Sequence, residues 1–248
     1  MKRLLAFLSL LLALAAAAPG ASAQPFSPDQ RAELEKIIRE VLTRDPSILR
    51  EALAKLEAAE SHAQATAARA ALAANADLLV ANPADPTLGN PEGDVTIVEF
   101  SDYRCPYCRR AHPEVRRLLA EDRRLRLVAK ELPILGPGSV VMARVALAAH
   151  RQGRWEAVNA RLITFQGEPT EAAVVGTALS VGGIDEARLR RDMGDPAIAA
   201  QLQANLQLAR AIGVSGTPAF VIGGRLIPGA IDLAELRRLV AEARGGGR

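Results

Sequence analysis

Val95 to Phe100 reads VTIVEF, an almost unbroken apolar run of β-formers, and five residues later come the only two cysteines of the chain, Cys105 and Cys108. A run this apolar is expected of a central strand covered on both faces. The stretch from Arg109 to Glu121 reads as a helix with Val115, Leu118 and Leu119 turned inward, and LRLVAKELPI supplies a second strand ending at Pro133. Strand, helix, strand within about 40 residues is a βαβ unit. The cysteine pair then stands where a strand hands over to a helix.

Downstream, the text from Ser139 to about Val214 is helical, broken at Gly153, Gly167, Gly182-Gly183 and Asp195-Pro196. TPAFVI (Thr217 to Ile222), a Gly223-Gly224 turn, the short strand RLIPG and a last helix from Asp232 to Arg244 follow. The order is βαβ, a helical block, then ββα. Residues 82–94, NPADPTLGNPEGD, hold three prolines and two glycines and read as a linker.

Residues 24–81 read as a helical arm. Leu34, Ile37, Ile38, Val41 and Leu42 make one apolar stripe at i, i+3, i+4, i+7 and i+8. Asp45-Pro46 punctuates, with Asp45 as an N-cap, and Ile48, Leu49, Ala52, Leu53 and Leu56 make a second stripe. The stripes pack either on the body of the same chain or on copies of themselves. An Ala-rich helical spacer from Ala58 to Ala76 reaches away from the body, which favours a homo-oligomer, dimer or trimer, through the arm.

Lys2, Arg3, the apolar run Leu4 to Ala18 and Ala21-Ser22-Ala23 form an export signal cleaved after Ala23, residues 1–23. Its apolar core of about 15 residues is short of the roughly 20 that a spanning helix needs. Without the signal, the 31 Lys and Arg fall to 29 against 28 Asp and Glu, so the basic pI says little about a nucleic-acid partner. Aromatic residues at 3% leave little to stack on bases, and no nucleic-acid partner is expected.

In an oxidising compartment the two cysteines could bridge, yet a bridge over two intervening residues removes little unfolded-chain entropy. Zinc wants four ligands, and His62, His112 and His150 are dispersed without paired spacing. Two thiolates suffice for Cu(I), so a periplasmic copper-binding thiol carrier without disulfide turnover is the alternative function. Redox chemistry is the preferred one. A sulfur at a helix start faces unpaired N–H groups and the positive dipole end, which favours thiolate. Cys105 would attack, and Cys108, three residues on along the same helix face, would resolve the mixed disulfide.

EFSDYRCPYC after a strand, the helical insertion, and VSGTPAFVIGG before a terminal ββα resemble the DsbA-type branch of the thioredoxin superfamily, over Val95 to about Ala243. With the arm included, the chain is similar to suppressor-of-copper-sensitivity C and Com1-like exported thiol oxidoreductases, some of which trimerise through such an arm. The resemblance implies an α/β thioredoxin fold, with residues 95–248 as the thioredoxin-like domain and the helical insertion at about 139–214, preceded by the helical arm. It implies a protein disulfide oxidoreductase or isomerase, periplasmic, acting on client proteins with thiols or disulfides and served by an unidentified membrane redox partner. No cofactor or metal is implied beyond the redox pair Cys105-Cys108. Cys105 becomes the nucleophile, Cys108 the resolving thiol and Pro218 a cis-proline facing them. Thr217 would offer backbone groups to an extended client strand.

A carboxylate inside an apolar strand is costly unless paired or used. Glu99 lies six residues before Cys105, where the family has a buried acid, and is given a proton-relay role; the alternatives are a plain ion pair, with Lys130 on the neighbouring strand as partner, or an exposed strand end. His112, Arg109 and Arg110 are read as solvated helix residues. Pro106-Tyr107 stands where strongly oxidising relatives carry Pro-His, and Thr217 stands where they carry Val; Thr at that position is shared with disulfide isomerases. About 30 mV in redox poise is worth about 1.4 kcal/mol, so these residues tune the direction of exchange.

Overall fold

The computed structural model describes residues 26–245; the export signal assigned to 1–23 and the end of the glycine-rich tail lie outside them. The chain divides into two units, residues 1–60 and 61–248.

In the first unit, α1 (Pro28–Arg44) opens on a capping box: the Ser27 hydroxyl accepts from the Gln30 N–H at 3.2 Å and the Gln30 side chain accepts from the Ser27 N–H at 2.9 Å. Asp45 ends this helix, and its carboxylate accepts from the Ser47 N–H at the start of α2 (Ser47–Ala74). No residue of α1 is buried. Leu34, Ile37, Ile38, Leu42, Ile48, Leu49, Leu53 and Leu56 are all exposed.

The second unit is built on a five-stranded sheet: β1 (Thr87–Gly89), β2 (Val95–Ser101), β3 (Leu125–Glu131), β4 (Ala219–Ile222) and β5 (Arg225–Pro228), in the order β1-β3-β2-β4-β5. β2 and β3 run parallel and the other pairs antiparallel. α3 (Ala76–Val80) precedes β1, and α4 (Pro106–Glu121) carries β2 into β3. Between β3 and β4 stand α5 (Pro137–His150), α6 (Trp155–Leu162), α7 (Glu171–Leu179), α8 (Glu186–Met193) and α9 (Pro196–Ala211); α10 (Leu233–Gly245) closes the unit. This is the thioredoxin-like sheet with a helical insertion.

Strand alternation divides the core in two. Ile97, Leu125, Leu127, Phe220 and Ile222 pack under α4 and α10, whereas Val98, Phe100, Val128 and Val221 face Leu72, Leu79, Leu208 of α9 and Ile212, the C-cap of that helix. The arm expected to reach residue 81 therefore gives its last turns to the core of the second unit: Leu72 and Leu79 are buried. Residues 82–94, expected as a linker, contain β1, whose register Thr87↔Val128 and Leu88↔Leu127 makes it an edge of the sheet. The Ala129 N–H also bonds the Pro86 carbonyl at 2.9 Å. Three residues between prolines and glycines are too few to show alternation, so their pairing was invisible in the sequence.

Register also decides the fate of Lys130. It lies opposite Phe100, whereas Glu99 lies opposite Ala129, so the two side chains leave on opposite faces of the sheet and the Glu99–Lys130 ion pair, the alternative to a proton relay, does not form. Lys130 is instead bound to Asp85, both side chains being buried, and donates to the Leu78 carbonyl at 2.7 Å. Asp85 also accepts from the Gln201 amide at 2.9 Å. The buried pair thus ties the segment before β1 to β3 and α9.

Candidate active site

Cys105 is the N-cap of α4, in extended conformation (φ −76°, ψ 119°), with Pro106 at the first helical position. The chain enters it from Asp102, whose carbonyl accepts from the Cys105 N–H at 3.0 Å. Both cysteines are free thiols and buried. Across from them the Thr217-Pro218 peptide is cis, and the Cys105 thiol donates to the Thr217 carbonyl at 3.0 Å. The sequence separates these two segments by more than a hundred residues; antiparallel pairing of β4 with β2, Phe100 against Ala219 and Glu99 against Phe220, brings them together.

Cys108 is fully buried, and that burial pushes its thiol up to about 12, against hydrogen bonds from the Asp102 backbone and the Ser101 and Thr217 side chains; the neighbouring Cys105 adds to the rise. Tyr107 is exposed beside it, with the Arg110 guanidinium 5.0 Å from its ring centre. Arg109, expected as a solvated residue, is exposed yet anchored: its guanidinium donates to the carbonyls of Ile163 and Phe165, both at 2.9 Å.

Glu99 is buried on the sheet face under α4, between Ala129 and Phe220 in the ladder, and desolvation pushes its carboxyl up to about 7. No side chain of the ladder offers it a cation. His112, also expected in solvent, is half-buried and lines the same small cavity as Glu99; burial, then Arg116, lowers its pKa to about 4. It is neutral across the working range.

Three residues that matter to the geometry were not singled out from the sequence. Asp102 is buried; one carboxylate oxygen accepts from the Arg104 N–H at 2.9 Å, and the other from the N–H groups of Ile134 and Leu135 at 2.8 and 3.0 Å. It pins the loop after β3 to the cysteine loop. Glu131, at the end of β3, is buried and accepts from the Tyr103 hydroxyl at 2.7 Å and the Trp155 indole at 2.9 Å. Tyr103, its hydroxyl also accepting from Asn159 at 3.1 Å, stays a neutral donor because burial, then the charge of Glu131, raises it far above the ordinary phenol range. Asp102 directly after a buried strand was a readable Asx-turn signal; Glu131 carried none, since its partners come from a loop and an insertion helix.

The thioredoxin family model matches residues 81–242. The chain belongs to the thioredoxin family. The N-terminal domain model of the copper resistance protein ScsC matches residues 30–63, inside the helical arm. Among solved structures, a thioredoxin-like oxidoreductase from Silicibacter pomeroyi is 46% identical, covering 68% of this chain and 97% of its own, with a TM-score of 0.66. A linker-deletion mutant of Proteus mirabilis ScsC is 27% identical over 91% of this chain and 100% of its own, TM-score 0.67. The thiol-disulfide exchange protein α-DsbA2 of Wolbachia pipientis is 27% identical, covering 73% of this chain and 97% of its own, TM-score 0.67. Together they identify a thioredoxin-family protein of the DsbA/ScsC type. The chain spans only about 27% of the length of a Na⁺/H⁺ antiporter from Salinispora arenicola, a curated relative 35% identical over 178 residues.

Proposed function

We propose that the protein is an exported thiol-disulfide oxidoreductase that forms or isomerises disulfides in client proteins through Cys105 and Cys108. The observation that carries this reading is the Cys105 sulfur at a helix N-terminus, 3.0 Å from the carbonyl before a cis-proline. To isomerise, the Cys105 thiolate attacks a client disulfide, the client S–S bond breaks as one client sulfur leaves with the electron pair, and another client thiolate then attacks the client sulfur of the mixed disulfide, freeing Cys105 with no net redox change. In the reducing direction Cys108 instead attacks the Cys105 sulfur, forming the intramolecular disulfide while the second client thiolate departs. The client dithiol is the reduced product and the cysteine pair the oxidised one; the oxidising direction is the reverse. A membrane redox partner would reset the pair.

Catalysed refolding of a scrambled-disulfide protein tests this reading: wild-type protein is expected to accelerate it and Cys105→Ser to lose the acceleration. A second reading has support of its own in the match to a copper resistance protein's N-terminal domain. In it, the same two thiolates carry Cu(I) without turnover. Absence of refolding activity together with tight, stoichiometric Cu(I) binding would select that carrier.

The exposed apolar residues of α1 and α2 are proposed to pair with copies of themselves, placing several redox sites in one assembly and favouring isomerisation, which needs repeated encounters. Light scattering of residues 24–248 against a version beginning at Ser61 is expected to show an oligomer falling to a monomer. Equal monomeric masses would remove the proposal.

A further inference from the structure

Glu131 and Ser101 are on the face of the sheet that carries Glu99. Parallel register sets Glu99 opposite Ala129 and Ser101 opposite Glu131, so Glu99, Ser101 and Glu131 all project under α4. The three line one cavity, whose volume open to the centre of a water molecule is about 20 Å³, room for a single water among polar partners. Ser101 connects this cavity to the chemistry, because its hydroxyl acts on the Cys108 thiol, lowering its pKa against the rise from burial. On Glu131 both side-chain donors, Tyr103 and Trp155, converge on Oε1. Its Oε2 is thereby the oxygen on which a proton can reside.

Resting on the thiol-disulfide reading above, we propose that Glu131 is a positioning residue of the redox site. It forms with Glu99 a two-carboxyl proton reservoir, to which Ser101 passes the Cys108 proton. As the Cys108 sulfur attacks the mixed disulfide at Cys105, its proton moves through Ser101 to the reservoir, the Cys105-Cys108 bond forms, and the departing sulfur takes the electron pair. In the reverse direction the reservoir returns the proton to Cys108.

The surroundings suit a shared proton. Burial raises Glu131 to about 8, against the hydrogen bonds from Trp155 and Tyr103, with the charges of Asp102 and Glu99 adding to the rise. Glu99 at about 7 loses its proton first, and its charge then holds the proton on Glu131. His112 is neutral, and Arg116, the cation at the cavity, is engaged by Glu156 of α6. The amine of Lys130 is committed to Asp85 and Leu78. No cation thus neutralises either carboxylate.

The test follows reaction of the reduced protein with 5,5′-dithiobis(2-nitrobenzoate) by stopped-flow from pH 5 to 10. Attack by Cys105 releases one aromatic thiolate; closure by Cys108 releases the second. Wild-type closure is expected to accelerate over two pH steps. Glu131→Gln should leave one step, and Glu131→Asp restore two. Glu99→Gln should keep a pH-dependent closure slowed less than about tenfold, because Glu131 still accepts the proton, while the double Gln variant slows by roughly 10²-fold or more. Ser101→Ala should slow closure about tenfold at every pH, with Ser101→Thr recovering it.

An Glu131→Gln profile superimposable on wild type, with Glu99→Gln as slow as the double variant, would overturn the proposal. The first thiolate reports folding of each variant; if the double variant lacks it, the single-variant profiles decide. The reagent is a small disulfide, so a protein releasing only one thiolate equivalent refutes the exchange reading itself, whereas two equivalents with indifferent profiles refute the reservoir alone.

Discussion

Lys130→Met is expected to destabilise the protein by about 3–5 kcal/mol, a large part of the 5–15 kcal/mol that typically holds a domain folded. The side chain is 1% exposed and its Asp85 partner fully buried. Methionine fills similar space but leaves the Asp85 carboxylate in the interior with only neutral donors, Gln201 and Asn82. The uncompensated charge, not a lost contact, is the cause, and this fixes the control. Asp85→Leu combined with Lys130→Met removes both charges and is expected to recover most of the loss, as replacement of whole buried pairs generally does. Urea unfolding of the two single variants and the double gives the coupling directly. A Lys130→Met protein within 1 kcal/mol of wild type would mean that water reaches Asp85.

Glu99→Gln should act in the opposite direction and only at high pH. The folded carboxyl binds its proton more tightly than the unfolded one, at about 7 against an ordinary 4.5. Stability from this group is therefore fully present below pH 4.5 and is lost as pH rises through 7. Glutamine mimics the protonated form at every pH. The variant is expected to match wild type at pH 4 and to exceed it by about 3 kcal/mol near pH 8.5, both proteins being fully reduced. Glu131, raised to about 8, continues the same decline at higher pH. Parallel stability curves for variant and wild type from pH 4 to 8.5 would show that Glu99 does not titrate in this range.

What the sequence disclosed and what it hid follow from the range of the interactions concerned. VTIVEF, the helix after Cys108 and Thr217-Pro218 were legible because each is a local pattern: an apolar run, a period, a dipeptide. The alternative pairing of Glu99 with Lys130 fails because adjacency of strands is legible without register, and a shift of one residue sends a side chain to the other face. Leu72 reads as part of the alanine-rich spacer and Leu79 as the end of the arm, because isolated leucines beside an alanine-rich helix give no stripe that marks an anchor. Tyr103, Glu131 and Trp155 meet across a loop, a strand and an insertion helix, 24 and 28 residues apart, a distance at which no periodicity speaks. The unpartnered faces of α1 and α2, in contrast, were plain in the sequence and remain exposed in the structure.

The division of labour between Cys105, at the helix start beside the cis-proline, and Cys108, fully buried and held protonated, is most directly tested by trapping. With a reduced, unfolded client and a disulfide oxidant, or with a scrambled client alone, Cys108→Ser is expected to accumulate a covalent complex with the client, joined through Cys105 and released by dithiothreitol on a non-reducing gel. Cys105→Ser should accumulate none. A complex that forms equally well in Cys105→Ser, or in neither variant, would contradict an exchange chemistry led by Cys105.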